Sequence, residues 1–312
     1  MKHASHRVYR SVQMEAQIGA ETDLSLALFA GNAPAAEDIG EERFQFGKNW
    51  QGFLSVLDDS RIGEAVRSLE QMLGGGALAG RRFIDVGSGS GLFSLAAMRL
   101  GAARVHSLDI DPRSVACTAE LKRRYFPAAD RWTVERASVL DERHLEALGE
   151  WDVVYSWGVL HHTGDMWTAM ANVARLVAHH GRLFIALYND QGRRSRVWRA
   201  IKRTYNLLPP RTRLAFVVAV MGPREALAAG IEVARLRPNA YLRRWTDYKR
   251  SRGMSRWHDL VDWVGGYPFE VARPEDVFRF YRDRGFRLVE LVTRTSGCNE
   301  YVLVRDASPA RS

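Results

Sequence analysis

The stretch FIDVGSGSGLFS, Phe83 to Ser94, decides the fold of this chain. A short apolar run, Phe83 to Val86, leads into Gly87, Gly89 and Gly91, three glycines in five residues, and then into the helical pattern GLFSLAAMRLGA. Glycine weakens any regular element, so such a run marks a backbone that must turn tightly or come close to something else. The residues alone leave open whether that neighbour is a helix, a phosphate or another ligand.

Working outward, short apolar runs alternate with helical periods. RRFIDVG reads as a strand, and the helix after it carries Leu92, Leu95, Ala96 and Leu100 along one face. Next come RVHSLDID (strand), PRSVACTAELKRR (helix opened by Pro112), WTVERAS (strand), ERHLEALG (helix), WDVVYSWG (strand), DMWTAMANVARLVA (helix) and RLFIALYN (strand). Strands alternating with helices imply βαβ units and a parallel sheet. Near-continuous apolar strands agree, because such sheets are covered on both faces. The alternation stops at Asp190 and resumes with PEDVFRFYRDRGF from Pro274; FRLVELVT and NEYVLVR then predict an antiparallel hairpin at one edge. Upstream, DSRIGEAVRSLEQML predicts a helix with Ile62, Ala65, Val66, Leu69 and Met72 on one side, stopped by GGG. The expected organisation is an N-terminal helical cap (1–75), an α/β core (76–190 and 271–306), a helical insertion (191–270) broken at LLPPR, GPRE and RPNA, and a disordered tail (307–312).

The composition, 46% hydrophobic and 26% charged over 312 residues, is that of a globular protein. Two cysteines, Cys117 and Cys298, cannot build a disulfide framework, which suits a reducing interior. The first residues lack the apolar stretch of a signal peptide, and no uninterrupted apolar run approaches the length of a bilayer span. A cytoplasmic protein is expected. The net charge is +9, but residues 192–256 hold 17 Lys or Arg against Glu225, Glu232 and Asp247, a net of +14, so the rest of the chain is at −5. The basicity belongs to one segment.

A glycine turn after the first strand lies outside the carboxyl ends of the strands, where such sheets bind ligands. The dinucleotide pattern G-x-G-x-x-G is not completed: counting from Gly87 ends at Leu92, and counting from Gly89 ends at Ser94. What stands instead is acid-x-G-x-G-x-G, Asp85, Gly87, Gly89 and Gly91. DVGSGSG resembles the first motif of the class I S-adenosylmethionine-dependent methyltransferases, and the resemblance covers about residues 80–190 and 272–305. It implies a seven-stranded, mostly parallel Rossmann-like sheet with an antiparallel last strand. It also implies S-adenosylmethionine as cofactor and S-adenosylhomocysteine as product. The cradle would be Asp85, Gly87, Ser88, Gly89 and Gly91, with Asp109, 18 residues beyond Gly91, gripping the ribose hydroxyls and Ile110 beside it. Asp111 suits the cap of the helix opened by Pro112. Ser138 stands where the family usually has an Asp for the adenine amino group, so Ser138 or the backbone of Val139 would serve instead.

The fourth strand runs into YSWGVLHHTGD, and GVLHH resembles bacterial methyltransferases acting on quinone precursors and other small molecules. Wobble-uridine tRNA methyltransferases carry similar segments. The resemblance makes His161 the candidate base or substrate orienter, with His162 and Trp157 lining the pocket; the plainer reading is a histidine satisfied by backbone at a helix entrance. Asp165 suits a cap, and His179 with His180 reads as solvated loop. No metal site is expected, since the paired histidines lack ligand spacing and no cysteine cluster accompanies them. Tyr188 and Asn189 end the fifth strand at the same edge as candidate substrate contacts. Phe46, Lys48 and Trp50, in ERFQFGKNWQGF, either close over the cofactor or pack a cap on the core.

Methyl transfer from a sulfonium asks the protein mainly for alignment and exclusion of water. The basic insertion, with Trp198, Tyr205, Tyr241, Trp245 and Tyr248, would form the substrate lid. It suits a small anionic substrate, RNA, or a membrane surface touched through RLAFVVAVM, against the plain alternative of a solvated basic face. The expectation is a methyltransferase for a small anionic or lipid-linked metabolite. A tRNA methyltransferase and a non-catalytic cofactor-binding protein stand as alternatives.

Overall fold

The structure, a computed structural model, describes residues 54, 57–237, 239, 256–295 and 297–306. The expected N-terminal cap ahead of this, Phe46, Lys48 and Trp50 within it, Tyr241, Trp245 and Tyr248, and the tail 307–312 lie outside the described residues.

Seven strands form one sheet: β1 (Arg82–Val86), β2 (Arg104–Asp109), β3 (Trp132–Arg136), β4 (Trp151–Trp157), β5 (Val177–Tyr188), β6 (Phe286–Val292) and β7 (Cys298–Arg305). Their order is β3-β2-β1-β4-β5-β7-β6, with β7 antiparallel to both neighbours and the others parallel. The helices are α1 (Asp59–Leu73), α2 (Leu92–Arg99), α3 (Pro112–Tyr125), α4 (Glu142–Leu148), α5 (Met166–Arg175), α6 (Arg193–Leu207), α7 (Pro210–Ala234), α8 (Arg256–Gly265) and α9 (Pro274–Arg282).

The twofold alternation of β1 sorts its side chains between two cores. Phe83 joins Leu69, Leu95, Val105, Trp132 and Phe184 on the face covered by α1, α2 and α3. Ile84 and Val86 join Val154, Met170, Val173, Tyr281 and Tyr301 on the face covered by α5 and α9. Both faces are dry, so β1 is buried except at Arg82. Helix starts follow their caps: Asp58, Asp111 and Asp165 accept the backbone N–H of Arg61, Arg113 and Thr168.

Three sequence expectations change. His179 and His180 belong to β5; three extra residues bulge out between the pairs Trp151–Val177 and Val153–Arg182, which gives His180 its positive φ of 60° and keeps both histidines exposed. The break at LLPPR is real, but GPRE does not end a helix: α7 runs for 25 residues with Pro223 inside it. That continuity also alters the reading of its apolar stretch. By length and composition α7 is long and apolar enough to cross a membrane. It touches Tyr205 of α6 and Leu260 and Val264 of α8 through Val217 and Met221, and 11% of its most apolar stretch is buried.

Candidate active site

A cavity opens at the carboxyl ends of β1, β2 and β4, lined from the glycine turn through Asp109 and Ser138 to Trp157, His162, Tyr267 and Pro268. It holds about 1380 Å³ including its open mouth.

The glycine turn answers to two neighbours. Gly87 has φ +82°, and a Cβ there would lie 2.4 Å from Cγ2 of Val159; Gly91 has φ +81°, and its Cβ would lie 2.8 Å from Cα of Thr118. These two glycines are therefore demanded by protein packing and by the left-handed backbone. Of the neighbours the sequence leaves open, protein packing is the one that meets Gly87 and Gly91. Gly89, also at positive φ (54°), lines the cavity, and its N–H donates to Oδ2 of Asp109 at 2.9 Å. The turn is fixed from beneath, since the N–H groups of Gly87 and Ser88 both donate to the carbonyl of Leu108. Ser88 Oγ bonds Thr118 Oγ1 at 3.0 Å.

Asp85 lies below the turn, 2% exposed, accepting from Ser94 Oγ at 2.6 Å. Burial pushes its carboxyl up to about 7, the Ser94 hydroxyl pulls it down, and the charge of Asp109 adds to the rise. Asp109 is held from both oxygens, Oδ1 taking the N–H of Asp111 and Oδ2 that of Gly89, each at 2.9 Å. Burial raises it to about 6 against the pull of those two donors. Each oxygen has a second lone pair for a ligand hydroxyl. Ile110, 36% exposed, flanks it as an apolar wall. Ser138 lines the next stretch, its Oγ accepting from Leu140 N–H at 3.2 Å, so its own hydroxyl proton is what it can offer. The Val139 carbonyl takes the side-chain amide of Asn172.

The histidine pair is resolved by the turn after β4. His162 lines the cavity, and His161, fully buried, is not part of the lining. His161 stacks against Tyr188 at 4.0 Å and His162 at 4.4 Å, and its carbonyl accepts the N–H of Glu270. The candidate base or orienter His161 thus lies behind the lining, and His162 lies in it. His162 Nδ1–H donates to the carbonyl of Pro268 at 2.6 Å, which leaves Nε2 as the acceptor nitrogen. Burial depresses both imidazoles; the charges of His162 and then Lys202 add to it at His161, while at His162 the bond to Pro268 opposes it and Lys202 adds to it, leaving His162 at about 3. Tyr188 and Asn189 also fall outside the lining: Tyr188 packs on Phe269, and Asn189 donates to the Arg294 carbonyl. Trp157 lines the cavity as expected.

Sequence reasoning missed Tyr155, Tyr267, Pro268, Glu270 and Lys202. Tyr155 could have been found, because it pairs with Asp85 across β4 and shares a face with Trp157. Tyr267 and Pro268 come from the return of the insertion, stapled over the cavity by Glu270. That carboxylate accepts the N–H of Gly164 at 3.1 Å and of Met166 at 3.2 Å, an i-independent cap for α5. Lys202, 2% exposed on α6, donates to the Trp263 carbonyl and sits over the rings of Trp263 and Phe269.

The strand order, the closing antiparallel strand and the acid–glycine cradle are those of the Rossmann-like methyltransferase fold. Residues 84–183 match the family described as a methyltransferase domain. Among curated proteins, the chain is 33% identical over 123 residues to ribosomal protein L11 methyltransferase of Anoxybacillus flavithermus, covering 34% of this chain and 38% of that one. It is 49% identical over 47 residues to the protein of that name from Alteromonas mediterranea, 15% and 16% of the two chains. The chain thus spans less than two fifths of the length of these curated relatives. Among solved structures, magnesium protoporphyrin IX methyltransferase of Synechocystis with bound S-adenosylhomocysteine is 16% identical with a TM-score of 0.47, over 82% of this chain and 84% of that one.

The residues fit S-adenosylmethionine. Asp109 offers carboxylate lone pairs at the end of β2, the turn offers backbone, and Ile110, Val139 and Leu140 offer an apolar slot. At the other end, Tyr155 Oη and Trp157 Nε1 are buried without a hydrogen-bond partner among the described residues, although both side chains line the cavity. Orphaned donors of this kind call for a polar ligand.

Proposed function

We propose that this chain transfers the methyl group of S-adenosylmethionine to a small anionic or lipid-linked metabolite. The cofactor, when bound, supplies a carbon already activated by its sulfonium. Asp109 would hold the ribose, the Gly87–Gly91 turn and Asp85 the amino-acid end, and Ser138 with Val139 the adenine.

One observation carries the nature of the acceptor. The rim formed by Trp157, His162, Thr163, Tyr267 and Pro268 holds an imidazole and no carboxylate. With His162 near 3, only about one imidazole in 10⁴ would carry a proton at pH 7. It is a hydrogen-bond acceptor that orients, and too weak a base to strip a neutral hydroxyl. An acceptor that arrives ionised, such as a carboxylate or phenolate, needs no such base. The net +14 of residues 192–256 favours an anionic partner for this part of the chain.

The test is incubation with methyl-labelled cofactor and fractionated cell extract. Label in acidic small molecules or lipid extracts supports the proposal. Label in tRNA or ribosomal protein would replace it with a macromolecular acceptor, and cofactor binding without transfer would make the chain a binding protein.

A further inference from the structure

We propose that the exposed aliphatic side chains of α6 and α7 dock on a bilayer surface carrying anionic lipids. Thirteen large hydrophobic side chains are exposed among the described residues, and eight of them fall between Val197 and Leu236. Leu207, Leu214, Leu227 and Leu236 are 59–89% exposed, an unusual concentration for one helical pair. Of the most apolar stretch of α7, 11% is buried. The helix is about 37 Å long at 1.5 Å per residue, and it gives one side to α6 and α8 through Val217 and Met221. Its exposed aliphatic side chains flank that contact on both sides, Leu214 and Val218 on one and Leu227 and Ile231 on the other.

The charges select the partner. No acid occurs between Gly192 and Pro223, while Arg193, Arg194, Arg196, Arg203 and Arg211 are all exposed. At the far end Arg235 and Arg237 are exposed, and the buried Glu232 lies 3.9 Å from Arg235. Arginines at both ends, with Arg224 exposed beside Glu225 midway along α7, offer cations to headgroup phosphates while the exposed aliphatic side chains offer contact to acyl chains. RNA is the poorer fit, because all eight exposed hydrophobics are aliphatic and offer no ring for a base. A second copy of the chain would set the same arginines against each other.

The full-length protein is sedimented with vesicles of phosphatidylcholine alone and of phosphatidylcholine mixed with phosphatidylglycerol. Binding is expected to the mixed vesicles and to fall as salt rises. The triple variant Leu214→Ser/Val218→Ser/Leu227→Ser is expected to lose about tenfold or more in vesicle affinity, with an unchanged melting temperature and unchanged affinity for S-adenosylmethionine. Should it fold poorly, Leu207→Ser/Leu236→Ser carries the same test from the helix ends. Failure to pellet with mixed vesicles overturns the proposal, as does a folded serine variant that pellets like wild type. A gel shift with transfer RNA in place of vesicle binding would hand the surface to RNA. None of these outcomes depends on which acceptor is methylated.

Discussion

His162 donates its Nδ1 proton to the Pro268 carbonyl across 2.6 Å, joining the turn after β4 to the loop that returns from the α6–α8 helices. Beside it, the N–H of Glu270 reaches the His161 carbonyl, and the Glu270 carboxylate takes two more N–H groups from the start of α5. The rim of the cavity is therefore assembled from two segments about a hundred residues apart in sequence. Its imidazole is fixed in tautomer and direction before any ligand arrives.

His162→Ala is expected to lower kcat about tenfold, and His162→Gln, which keeps an acceptor oxygen near Nε2, to recover much of it. Because His162 titrates near 3, the pH profile of kcat should show no histidine limb near 6.5. A loss of a thousandfold, or a limb there that vanishes in the Gln variant, would make His162 a general base after all.

Proton linkage gives a second test. Asp85 and Asp109 are raised to about 7 and about 6 in the folded protein, above the ordinary carboxyl value of 3.8. A raised carboxyl favours the fold when protonated. That stabilisation is complete below pH about 4 and is lost as pH climbs through 6 and then 7. A bound sulfonium or ammonium would pull both carboxyls back down. Titration calorimetry of S-adenosylmethionine near pH 6.5, in buffers of differing ionisation enthalpy, should thus register proton release that fades above pH 8. Proton uptake, or none, would remove the carboxylates from the cofactor's surroundings.

Gly87→Ala tests the packing account of the turn. The new methyl would lie 2.4 Å from Val159 at a φ of +82°, and the expected loss is about 1–3 kcal/mol by urea denaturation. Val159→Gly in the same chain should return the steric part and leave the backbone part. If Val159→Gly restores nothing, the glycine is there for another neighbour.

How much of this could be read from the chain depends on range. The core from Arg82 to Tyr188 was legible because β1, β2 and β4 are buried on both faces and so run almost unbroken in apolar residues. Local caps at Asp111 and Asp165 were legible for the same reason of short range. Adjacent histidines defeat this reading, since neighbours in a 3₁₀ turn point to different sides and sequence does not say which faces the cavity. Tyr267 and Pro268 were illegible because the loop that brings them to His162 follows the whole insertion. Pro223 misled by rule: proline usually ends a helix, yet α7 continues through it.

Asp109→Ala is expected to weaken S-adenosylmethionine about tenfold or more, through loss of charge-assisted bonds to the sugar, and to lower the melting temperature, because the N–H groups of Gly89 and Asp111 lose their acceptor. Calorimetry on the folded variant decides it, and unchanged affinity would move the ribose elsewhere.

The most direct measurement is the binding isotherm of the purified wild-type protein with S-adenosylmethionine, S-adenosylhomocysteine and a nicotinamide dinucleotide in parallel. Saturable one-to-one binding of the two adenosyl compounds, with none of the dinucleotide, is the expected result. Binding of the dinucleotide with indifference to both adenosyl compounds would contradict the assignment of the cradle and everything built on it.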